Sequence, residues 1–79
     1  MHAHDVAQLI EAALPGARAV VESDDGVHFT AAIVAPQFEG KGARERHRLV
    51  YAALGTRVGA EIHALSLKAY APAEWSRQD

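Results

Sequence analysis

A chain of 79 residues with a net charge of −2 fits one domain and leaves no room for a second, so residues 1–79 are expected to fold as a single unit. That charge excludes affinity for nucleic acid through overall basicity, and the absence of cysteine excludes a disulfide framework, a thiolate nucleophile and a metal site built on the chain's own thiolates. Hydrophobic residues make up 49% of the chain, but 17 of them are Ala, so the core is small and the expected stability is about 3–5 kcal/mol.

Val6, Leu9, Ile10, Ala13 and Leu14 recur at helical spacing, which predicts a first helix over Val6–Leu14 with Asp5 as N-cap and Gln8 closing a capping box. Pro15-Gly16 ends it. The runs Ala17–Glu22 and Val27–Ala35 are rich in β-branched and aromatic residues and flank Asp24-Asp25-Gly26, so they read as a β-hairpin. A two-residue turn at Asp25-Gly26 sets Ser23 opposite His28 and Glu22 opposite Phe29. Alternation then gives Phe29, Ala31 and Ile33 one face and His28 and Thr30 the other.

Pro36 stops the second strand, and Gln37–Gly42 forms a turn or a single helical turn. A long helix follows from Ala43 to about Val58, with His47, Val50, Tyr51, Leu54 and Val58 in one stripe and Arg44 and Arg48 on another side. Gly55 costs about 1 kcal/mol relative to Ala inside that helix, so the helix is expected to fray from there to Gly59. The last run alternates His63, Leu65, Leu67 and Ala69 against Ala64, Ser66, Lys68 and Tyr70, a third strand, and Pro72 opens a final helical turn. These elements give an α+β fold, a three-stranded sheet packed on helices on one face.

Two segments carry a family signature. Phe38-Glu39-Gly40 is followed after five residues by Arg46-His47-Arg48-Leu49-Val50-Tyr51, and His63-Ala64-Leu65 opens a strand that closes on Pro72-Ala73-Glu74-Trp75. In this order the residues resemble the BolA family, and the resemblance runs from about Val20 to Trp75. It implies a class II K-homology-like (KH-like) sandwich with the order α-β-β-α-α-β. It also implies a partner, a monothiol glutaredoxin, and a shared [2Fe–2S] cluster.

His63 is the foremost candidate for chemistry, because the resemblance implies that the histidine of His-Ala-Leu ligates that cluster. Its alternative is a structural histidine bonded to a nearby carbonyl. A [2Fe–2S] cluster takes four ligands, and imidazole can replace thiolate on one iron. The resemblance assigns the thiolates to the glutaredoxin cysteine and to glutathione, so the isolated chain is expected to bind no cluster. His28 is the candidate second ligand, in the region where the family carries Cys or His, with a half-exposed strand histidine as the alternative. His47 reads as structural, bonding a carbonyl of the Phe38–Gly40 turn.

Lys41, Arg44, Arg46 and Arg48 form a local basic cluster that suits an acidic or glutathione-bearing partner, DNA phosphates, or simple solvation. A DNA-binding transcriptional regulator of stress response and cell morphology is the alternative function, although Gly40-Lys41-Gly42-Ala43 lacks the Gly-x-x-Gly spacing of K-homology loops. No hydrolytic or phosphate-transfer motif is present, so no enzyme is expected. No basic or apolar leader and no long apolar window is found, so a cytoplasmic protein off the membrane is expected, alone a monomer or weak homodimer.

Overall fold

The computed structural model describes residues 1–62 and 64–76. Helix α1 (Ala3–Ala13) leads into β1 (Arg18–Glu22) and β2 (His28–Val34), and a 3-10 turn over Pro36–Phe38 precedes α2 (Ala43–Leu54). A second 3-10 turn, Gly55–Arg57, comes before β3 (Ala64–Tyr70) and the short α3 (Pro72–Ser76). Counting Pro36–Phe38 as the short helix of the second pair, the order is the expected α-β-β-α-α-β with one helical turn appended. No helix among the described residues is long and apolar enough to cross a membrane.

The sheet is mixed: β2 lies at its centre, antiparallel to β1 and parallel to β3. The parallel pair needs a crossover, which α2 supplies. Val6 and Ile10 of α1, Phe29, Ala31 and Ile33 of β2, Phe38, and Val50 and Leu54 of α2 meet in one buried cluster. The even-numbered residues of the strands face away from it. On that outer side the ring of Tyr70 meets Trp75 of α3 at 5.3 Å between centroids.

Three local expectations are corrected. Helix α1 starts at Ala3, so Asp5 is not the cap but the third helical residue, where its carboxylate accepts the His2 N–H at 3.1 Å. The hairpin register is Glu22↔Thr30 and Val21↔Ala31, one residue away from the expected pairing. The expected register sets Glu22 opposite buried Phe29, on the core face; the observed one turns Glu22 and Val20 outward and brings Val21 and Ala19 against the core. A one-residue slip exchanges the two faces of a strand, and burial of a carboxylate decides between them.

The third correction reverses a sign. Gly55 is the C-cap of α2, with φ of 60° and ψ of −136°, and not a weak interior position. Side chains other than hydrogen avoid that region, so Gly55→Ala should destabilise by about 1–3 kcal/mol instead of stabilising. Urea denaturation of the two proteins checks this; a gain in stability contradicts the cap.

Candidate functional site

The connection between β1 and β2 is built by side chains. Oδ1 of Asp25 accepts the backbone N–H groups of Val27 at 3.0 Å and His28 at 2.8 Å, the bonding of an Asx turn. Oγ of Ser23 donates to the carbonyl of His28 at 2.6 Å and accepts the N–H of Gly26 at 2.9 Å. These bonds replace the backbone ladder of a two-residue turn, which is why the loop is longer than expected. Oδ2 of Asp25 lies 2.6 Å from Nδ1 of His28, whose side chain is 60% exposed. The His28 and Val27 N–H groups and the His28 ring hold the Asp25 carboxyl far below the usual carboxylate range.

His28 and Asp25 line a groove of about 470 Å³ with Ser23, Thr30, Ala64 and Ser66. The start of β3 is tied to the same loop, since Ala64 pairs with His28 in the parallel register and its N–H donates to the Val27 carbonyl at 3.2 Å. His63, the expected principal ligand, lies outside the described residues. Among the described residues no group of three or more His, Asp or Glu side chains could hold a metal ion. An imidazole backed by a carboxylate is, in its neutral form, a competent metal donor.

The basic cluster does not stay together. Arg44 and Arg48 are exposed on α2 and border a shallow depression with His47 and Tyr51, at helical spacing. Arg46, expected on the docking surface, is turned inward with its side chain only 12% exposed. Its Nε donates to the Lys41 carbonyl at 2.7 Å, and its Nη1 to the Ala69 carbonyl at 3.0 Å and to Glu74 Oε1 at 2.6 Å. The guanidinium also stands 5.9 Å from the centroid of the Phe38 ring. Arg46 thus performs the loop bonding expected of His47, for a simple reason: only a forked cation reaches the loop, β3 and α3 at once.

The family model for BolA-like proteins matches residues 1–74. The chain belongs to the BolA family. A BolA homologue from Coxiella burnetii superposes with a TM-score of 0.88 at 49% identity, covering 98% of this chain and 99% of that one. The BolA domain of SufE1 from Arabidopsis thaliana gives 0.80 at 32% identity, covering 91% and 93%. BolA-like protein 1 of Homo sapiens is 48% identical over 48 residues, 61% of this chain but 35% of the human protein, so the match spans about a third of that relative.

In this BolA chain the roles of Asp25, Ser23 and Glu74 did not stand out from the sequence. The signal for the first two was local: Ser and Asp just ahead of Gly favour side-chain-bonded turns. For Glu74 it was the third place of a capping box, and its Oε1 does accept the Ala71 N–H at 2.7 Å. Ala71 has no hydroxyl to return the bond.

Proposed function

We propose that this BolA protein pairs with a monothiol glutaredoxin and shares a [2Fe–2S] cluster with it, as an adaptor in cluster assembly, sensing or transfer and not as an enzyme. His63 is the principal ligand and His28 the second; the glutaredoxin cysteine and glutathione supply the thiolates. The observation that carries the reading is the pairing of His28 with Ala64, the residue after His63, beside a groove in which a carboxylate backs the His28 ring. Family membership and the occurrence of a BolA domain in a SufE-like protein of Arabidopsis thaliana support it. Imidazole in place of thiolate is an established mode of [2Fe–2S] ligation and raises the cluster's reduction potential. A reducing cytoplasm, where thiols persist, is the matching compartment.

The test is reconstitution with glutaredoxin, glutathione, iron and sulfide, followed by visible circular dichroism. His63→Ala should change the spectrum and shorten cluster retention, and His28→Ala should do so to a smaller extent. An unchanged spectrum for His63→Ala sinks the ligand assignment. DNA binding that falls steeply with salt and weakens when Arg44 and Arg48 are neutralised favours the regulator instead.

A further inference from the structure

We propose that Asp25 is a positioning residue that holds His28 in its Nδ1–H tautomer, which leaves the lone pair of the neutral ring on Nε2. Use of that lone pair by a cluster rests on the function proposed above; the tautomer itself does not. Two backbone N–H bonds occupy Oδ1, so the carboxylate cannot swing away from the ring without breaking the Asx turn. That leaves Oδ2 against Nδ1 at 2.6 Å.

An ionised carboxylate only accepts, so the nitrogen facing it carries the proton, and in a neutral ring the lone pair falls to Nε2. Ser23 completes the arrangement by bonding the backbone on both sides, at Gly26 N–H and His28 carbonyl. Ligating histidines commonly donate their second N–H to a carboxylate, and the same device is set up here on the strand that borders the groove.

Long-range proton–nitrogen correlation spectra of the imidazole rings test this on the full chain without glutaredoxin or metal, in solution alkaline enough that the rings are neutral. Wild type should show His28 protonated at Nδ1. Asp25→Asn keeps an oxygen for the two N–H groups but sets an amide NH₂ against the ring, so the proton should move to Nε2 while the Val27 and His28 amide shifts stay near wild type. Asp25→Ala, which removes the carboxylate together with the acceptor of both Asx-turn N–H groups, should also lose the Nδ1–H preference. Wild type protonated at Nε2, or an Nδ1–H preference that survives in both variants, overturns the assignment. The tautomer is read apart from any cluster, so failure of the glutaredoxin reconstitution leaves this result standing.

Discussion

Arg46→Ala is expected to lower the unfolding free energy by about 3 kcal/mol, the lower end of what breaking a buried ion pair costs. Glu74 is 39% exposed, so water recovers part of its hydration and the loss does not reach the upper end. Two carbonyls, of Lys41 and Ala69, also lose their charged donor. Against a total of about 3–5 kcal/mol, this leaves a substantial unfolded fraction at room temperature. Glu74→Gln should cost about 1–1.5 kcal/mol, because an amide oxygen can still accept from Arg46. Arg44→Ala and Arg48→Ala, on the exposed side of α2, should stay within about 0.5 kcal/mol of wild type. Urea titrations of the four variants give the ordering. An Arg46→Ala protein as stable as Arg44→Ala contradicts the internal role and returns Arg46 to the surface.

The same comparison guards the functional test. Loss of glutaredoxin or DNA binding in Arg46→Ala reports a loosened fold, whereas loss in Arg44→Ala or Arg48→Ala reports a contact.

What the sequence made legible follows from the range of each interaction. The inward face of β2 was readable because Phe29, Ala31 and Ile33 alternate with polar or small residues, and the strand has one buried side. The pairing of β1 was not, because turn composition admits several loop lengths; the deciding residue was Glu22, whose charge forbids the core face. Arg46 stands among basic neighbours and reads as surface, while the group that neutralises it lies 28 residues further along. His28 was legible as a candidate ligand through the family resemblance, but its partner Asp25 was hidden by reading Asp-Gly as a backbone turn.

Phe38→Ala is expected to have the largest effect of all, about 3–5 kcal/mol, the usual cost of truncating a buried phenylalanine. The ring is fully buried, among the largest side chains of the core, and it closes the loop between β2 and α2 beneath the Arg46 guanidinium. Truncation removes both the apolar burial and the face on which the cation rests. With the total stability of the same size, the variant should be mostly unfolded, seen as lost helical circular dichroism and no cooperative melting transition. Phe38→Leu keeps most of the volume and should cost about 1.5 kcal/mol, lowering the melting temperature by about 6–12 °C for a domain of this length. The effect reaches the candidate site through Phe29, which belongs to the same buried cluster and, by facing inward, turns neighbouring His28 to the opposite face. Fraying of that cluster therefore frees His28 from its groove before any ligand is touched. A Phe38→Ala protein that melts cooperatively within a few degrees of wild type contradicts this account of the core.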